Sequence, residues 1–232
     1  MIRSLLKNIV AMVPLTFAEK YLISKFGYNL LSFSQYGEDI ILRNIFSGKK
    51  TGFFVDVGAH HPTRFSNTYW FYRKGWRGIN IDAAPGSMAP FNKKRSGDKN
   101  IEAAISNTKE TLEFNVLNHA AFSTFSKKLA EEHVKEGYWI KDVVQIQTKT
   151  LKEVLDENLS GVEKIDFVNI DVESYDLEVL KSNDWNKYVP EVIVIEDREL
   201  SNEGSEIVSY LNEKGYNLVA TMEKTKIFKK NI

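Results

Sequence analysis

Four short apolar runs, each ending in or carrying an acid, dominate the pattern of this 232-residue chain. In the first, Gly52-Phe53-Phe54-Val55-Asp56-Val57-Gly58-Ala59-His60-His61-Pro62, bulky side chains give way to an acid, a glycine and a small residue. A strand that is apolar on both faces is buried on both faces, and open α/β sheets bind ligands beyond the carboxyl ends of such strands. Arg77 to Asp82, Ile165 to Asp171 and Glu191 to Asp197 repeat the plan. Helical stretches separate them at Ser66 to Lys74, Pro85 to Arg95, Thr150 to Leu155 and Glu203 to Lys214. The chain closes on two extended segments, Tyr216 to Met222 and Lys226 to Lys229, spaced as a hairpin. The expected fold is α/β: a doubly wound, mostly parallel seven-stranded sheet with an antiparallel C-terminal hairpin.

The rest of the chain is fitted around that core. Residues 1–32 read as an N-terminal helical extension that Pro14 interrupts, and residues 33–232 as the domain itself. The apolar centre of the extension, Ile9 to Phe17, is too short for a membrane span and lacks a cleavage site. A helix there either covers the domain or lies peripherally on a membrane or partner. Ile101 to Ser106 reads as a third strand, with Ala104 among the small side chains that let a flat ring such as adenine lie against the backbone. From 111 to 150 the rhythm loosens into a strand at Leu112 to Val116, a loop at His119 to Phe125 and one edge strand at Lys141 to Thr150. Such an insertion is expected to shape a substrate pocket.

Composition removes several classes of function. The 31 basic and 31 acidic side chains cancel, so no bulk charge draws the protein to nucleic acid. The absence of cysteine excludes disulfides, thiolate metal sites and thiol nucleophiles, and it fits a cytoplasmic protein. Asp82 follows Asp56 by 26 residues, the approximate spacing at which α/β nucleotide folds set a carboxylate for ribose hydroxyls. Ahead of the first strand, Ser34 or Asp39 suits a helix cap, which leaves Gln35 and Glu38 for ligand contacts. Ser66 or Asn67 opens the next helix, where free N–H groups suit a carboxylate.

Asp-Val-Gly-Ala at 56–59 stands where class I methyltransferases carry their acidic loop, and the final hairpin resembles their reversed last strand. Ser34-Gln35-Tyr36-Gly37-Glu38-Asp39, Phe54 to Ala59, Ser66-Asn67-Thr68, Gly75-Trp76-Arg77-Gly78 and Ile170-Asp171-Val172-Glu173 occur in order over roughly residues 33–200. This set resembles the FkbM family of S-adenosylmethionine-dependent O-methyltransferases. The resemblance implies a Rossmann-like fold, S-adenosyl-L-methionine as cofactor, and a hydroxyl on a small molecule or sugar, such as a surface-glycan precursor, as acceptor. The expected cofactor contacts are Gln35, Glu38, Asp56, Gly58, Ala59, Ser66, Asp82, Ala83 and Ala104. Departures occur at His60-His61 (usually Asn and Gly), at Ser174 (usually Gly) and at Asp82-Ala83-Ala84-Pro85 (usually Glu and a Pro-Asn-Pro-like turn).

Two chemical routes stay open for the transfer. Asp171, Glu196 and Asp197 end neighbouring strands, and three carboxylates at one rim suit a hard cation such as Mg²⁺. Asp171 alone, or His60 and His61, are the expected bases. A nicotinamide-dependent oxidoreductase shares the plan of strand, loop and acid, but the Gly-x-Gly-x-x-Gly cradle is missing after Gly58. A binding module that has lost catalysis is the third reading.

Overall fold

The computed structural model describes residues 31–159, 164–199, 201–202 and 204–231, so the expected extension at 1–32 falls almost wholly outside the described residues. In chain order the elements are α1 (Glu38–Ile45), β1 (Phe53–Val57), α2 (Tyr69–Arg73), β2 (Arg77–Asp82), α3 (Met88–Lys94), β3 (Lys99–Glu102), β4 (Ala104–Ile105) and β5 (Thr111–Leu117). They continue with α4 (Lys127–Lys135), β6 (Ile140–Lys149), α5 (Leu151–Asn158), β7 (Phe167–Ile170), α6 (Asp176–Lys181), β8 (Val192–Glu196), α7 (Glu206–Glu213), β9 (Tyr216–Met222) and β10 (Thr225–Lys230). Among the described residues no helix is long and apolar enough to cross a membrane.

The main sheet has seven strands in the order β3-β2-β1-β7-β8-β10-β9. The first five are parallel to one another, whereas β10 runs antiparallel to both β8 and β9. This is the expected doubly wound, Rossmann-like sheet, with the order of strand addition reversing between β1 and β7. The burial follows the apolar runs. Phe54, Val55, Val192, Ile193, Val194 and Ile195 are all fully buried, and one face packs against an aromatic cluster of Phe46, Phe54, Phe71, Trp76 and Phe167. Rings in that cluster meet at 4.8 to 6.2 Å, so β1 and β7 are clamped together near their amino ends.

Three expectations need correction. The segment at 101–106 is not one strand: β3 ends at Glu102 in the main sheet, and β4 crosses to a second sheet of order β4-β6-β5. Consequently β6 lies in the middle of that second sheet and is no edge strand. The loop expected at 119–125 holds a 3₁₀ turn at Ala120–Phe122 and runs into an unforeseen helix, α4, capped by Ser126. The smaller sheet and α4 form a separate layer over the carboxyl ends of β1, β2 and β7, where Thr124 Oγ1 donates a 2.8 Å hydrogen bond to the carbonyl oxygen of Glu173.

Candidate active site

The loop after β1 is shaped by backbone geometry before any side chain acts. Gly58 has φ +83°, and a Cβ built there would lie 1.7 Å from the carbonyl oxygen of Asp171. The N–H groups of Gly58 and Ala59 both donate to the carbonyl of Ile81, at 2.9 and 3.0 Å, which ties the loop to the end of β2. His60 takes the left-handed φ of +51° and donates its N–H to Asp82 Oδ2 at 2.9 Å. The other carboxylate oxygen of Asp82 accepts the N–H of Ala84 at 2.9 Å. Asp82 therefore holds two loops in place, and it opens onto the cleft between them.

That cleft has two lobes, about 570 and 1040 Å³ in volume and partly open to solvent. One lobe is lined by Asp82, Ala83, Ala103, Ile105, Phe114 and Tyr175, an acid beside small and flat apolar surfaces. The other is walled by Gln35, Tyr36, Phe65, Asn67, Phe122 and His133 together with charged groups from β7 and β8. Gly58, His60, Asp171 and Glu173 line both lobes, and the junction of the cleft runs along them.

Asp171, Glu173 and Glu196 bring carboxylate oxygens within 4.8 Å of one another at this junction. Asp171 reaches the cleft surface yet is packed round with protein, and that desolvation, then Glu196 and Glu173, holds its pKa well above the usual carboxylate range. Desolvation and Glu196 push Glu173 up to about 7 against the opposing pull of Arg198. The guanidinium of Arg198 pairs with Glu173 and lies 3.5 Å from Glu196. Hard oxygen donors of this kind suit a divalent cation, although Arg198 already offsets part of their charge.

Several expected site residues sit elsewhere. Asp197 does not join the cluster: it is buried, and Lys226 Nζ and Ser205 Oγ each donate to its Oδ2 at 2.6 Å. Successive side chains in an extended segment point to opposite sides, so Glu196 and Asp197 cannot both face one ion. The same alternation turns Ala104 into the core, fully buried, and leaves Ala103 and Ile105 on the cleft. Glu38 and Ser66 are buried as well. Glu38 accepts the N–H of Tyr36 at 2.9 Å and the hydroxyl of Thr225 at 3.3 Å, while Ser66 Oγ accepts the N–H of Tyr69 at 3.1 Å. Neither lines the cleft, whereas Gln35 and Ala59 do.

The two histidines separate in the same way. His60 lines both lobes, and burial lowers its pKa, so its imidazole is neutral near pH 7. His61 instead caps a turn: its Nδ1 accepts the N–H groups of Thr63 and Arg64 at 3.1 and 3.0 Å, and burial depresses its pKa to about 4. Asp56 is 2% exposed, and both of its carboxylate oxygens are taken, by Thr68 Oγ1 at 2.6 Å and Asn169 Nδ2 at 2.8 Å. Burial pushes its pKa up, opposed by Thr68, Arg95 and Asn169.

Sequence reasoning passes over Glu173, Arg198, Asn67, Tyr36, Phe65 and His133. Among the described residues, those other than glycine with left-handed φ are His60, Phe65, Glu173, Ser174 and Glu223, and all but Ser174 line the cleft. Ser174 stands at φ +85° where the resembled family has glycine. Ser174→Gly removes left-handed strain at some cost in chain entropy, a net gain of about 1 kcal/mol. The expected rise in Tm is about 2–4 °C in a thermal melt, and an unchanged or lower Tm contradicts the strain.

The chain is similar to a TehB-like SAM-dependent methyltransferase from Corynebacterium glutamicum, with TM-score 0.46 and 9% identity over 93% of this chain and 97% of that one. It is also similar to a methyltransferase from Geobacter sulfurreducens, with TM-score 0.45 and 10% identity over 94% and 90% of the two chains. A third is the O-methyltransferase from Bacillus cereus in complex with SAH, with TM-score 0.43 and 11% identity over 92% and 97%. No curated protein sequence matches the chain. The methyltransferase FkbM domain matches residues 56–218, a span running from Asp56 through Asp82 and past the acidic cluster, and the chain belongs to the FkbM methyltransferase family.

Proposed function

We propose that the chain moves a methyl group from S-adenosylmethionine to a hydroxyl of a sugar or a similarly polyhydroxylated small molecule. The observation that carries this reading is the junction of the two lobes at Gly58, His60, Asp171 and Glu173. Adenosine fits the lobe of Asp82, Ala83, Ala103 and Ile105, with the ribose hydroxyls donating to the remaining lone pairs of Asp82. The acceptor occupies the other lobe, where Tyr36, Phe65 and Phe122 offer flat apolar faces to the C–H side of a sugar ring and the acids accept from its hydroxyls.

In the transfer the acceptor oxygen attacks the methyl carbon in line with the sulfonium, the carbon–sulfur bond breaks, and sulfur keeps the electron pair. Most of the rate comes from holding oxygen and methyl in that alignment. The hydroxyl proton passes to the Asp171–Glu173 pair, where Glu173 with its pKa near 7 is the accepting base. Asp171, Glu173 and Glu196 also have the donors to hold Mg²⁺, which would supply charge to orient and acidify hydroxyls. Full turnover after exhaustive chelation assigns the proton to the carboxylates alone, and loss reversed by Mg²⁺ assigns the ion.

The direct test is transfer of labelled methyl from S-adenosylmethionine to a panel of sugars, with products located by mass spectrometry. Label on nitrogen or carbon, or no binding of the cofactor in calorimetry, overturns the proposal. pH supplies a second check. kcat/KM should rise as pH increases through about 7, and Glu173→Gln should lose that rise together with about 10²–10⁴-fold in rate. Stability should move the other way. Asp176 and Glu173 have folded pKa values raised to about 8 and about 7, so the folded state binds their protons more tightly than the unfolded chain does. Stability is then fully present at acid pH and declines as pH climbs from the ordinary carboxylate range through both values. A Tm that stays level or rises between pH 6 and 8 contradicts this assignment.

A further inference from the structure

We infer that Asn67 holds the ammonium group at the amino-acid end of the cofactor, and that Asp56 sets the direction of the Asn67 amide from a distance. The inference rests on the cofactor assignment above. Arg95, fully buried, donates from Nη1 to Thr68 Oγ1 at 3.0 Å. A guanidinium cannot accept, and Thr68 Oγ1 lies 2.6 Å from Asp56 Oδ2 against 3.2 Å from Ser66 Oγ, so its hydroxyl donates to the carboxylate. The second oxygen of Asp56 meets Asn169 Nδ2 at 2.8 Å.

Asn169 presents its Nδ2 to Asp56 and turns its Oδ1 the other way. That oxygen accepts from Asn67 Nδ2 at 2.8 Å. The Asn67 amide is therefore fixed in its turn, with its carbonyl oxygen as the end of the relay. Asn67 and Asn169 line the same lobe as Gly58 and Ala59, at the side of the junction where the methionine portion must extend. Two other acids of this lobe, Glu173 and Glu196, face Arg198. A polarised amide oxygen backed by a buried carboxylate favours a cationic donor, and a hydrogen bond from an ammonium is stronger than one from a neutral group.

Asp56 is thus a positioning residue, and Asn67 touches the ligand. Both of the Asp56 oxygens are consumed inside the protein, which leaves the ligand contact to the far end of the relay.

The test uses two probes, S-adenosylhomocysteine and its desamino analogue 4-(5′-adenosylthio)butanoate, in which hydrogen replaces the ammonium. Calorimetry on Asn67→Ala should show the affinity for S-adenosylhomocysteine falling about ten- to a hundredfold. Affinity for the desamino analogue should change less than about twofold, because that ligand never made the contact. Asp56→Asn, which frees the relay to reverse, should show the same selectivity, and a Tm measurement accompanies each variant. Equal loss for both ligands in Asn67→Ala, or no loss for either, overturns the relay and leaves the cofactor assignment standing. A wild-type protein that binds neither ligand overturns the cofactor assignment and the relay with it.

Discussion

Gly58→Ala should leave little folded protein and no measurable cofactor binding. The φ of +83° alone makes the position unfavourable for alanine, by about 1–2 kcal/mol. Steric overlap costs more. A Cβ there would meet the carbonyl oxygen of Asp171 at 1.7 Å and its carbon at 2.6 Å, and these are backbone atoms that no rotamer change can move. Relief requires the ends of β1 and β7 to separate where Asp171 N–H donates to the carbonyl of Val57 at 2.9 Å. The expected loss of about 4 kcal/mol or more belongs to the rare large class of substitutions. It corresponds to a fall in Tm of about 8 °C or more for a domain of this size. Thermal melts of the purified variant measure it, and a Tm within a few degrees of wild type would mean that the loop is not packed in this way.

Asp82→Ala should abolish most cofactor affinity with a smaller change in stability. Its two oxygens hold the N–H groups of His60 and Ala84, so its removal releases the loops after β1 and β2 together. In the proposed cofactor placement the same deletion takes away the acceptor for the ribose hydroxyls. Loss of two charge-assisted hydrogen bonds predicts a decrease of more than about a hundredfold in affinity for S-adenosylhomocysteine. Asp82→Asn keeps one acceptor oxygen and should fall less, by about tenfold. Unlike Asn67→Ala, both changes should weaken the desamino analogue as much as the parent ligand. An unchanged dissociation constant in Asp82→Ala would remove this acid from the site.

The positions of the core strands and the two acids they carry are legible in advance because buried parallel strands write themselves as unbroken apolar runs, and Phe54, Val55, Val168 and Ile193 do so plainly. Side-chain direction is not. Glu196 with Asp197, Ala103 with Ala104, and His60 with His61 are neighbours in sequence that face different surroundings, although each pair reads as one feature. Period-two alternation beyond a strand end depends on where the strand stops, and sequence locates such ends poorly. Glu173 is hidden for a different reason. It reaches the junction through a turn with φ +55° followed by Ser174 at +85°, a geometry that nothing in Val172-Glu173-Ser174 announces. Helix α4 escapes notice because its inward face contains only Leu129, Ala130 and His133, and a buried histidine does not count towards an apolar stripe.

The strained backbone around the cleft bears on how this protein would respond to laboratory evolution. His60, Phe65, Glu173 and Glu223 each hold a left-handed conformation that glycine would adopt without penalty, and each lines the lobe proposed for the acceptor. Selection for heat tolerance alone would favour glycine at all of these positions and would strip the walls that discriminate among acceptors. Variants from such a screen should outlast the parent on heating and accept a wider range of hydroxyls. Ser174, set apart from the cleft, is the place where durability can be gained without that drift.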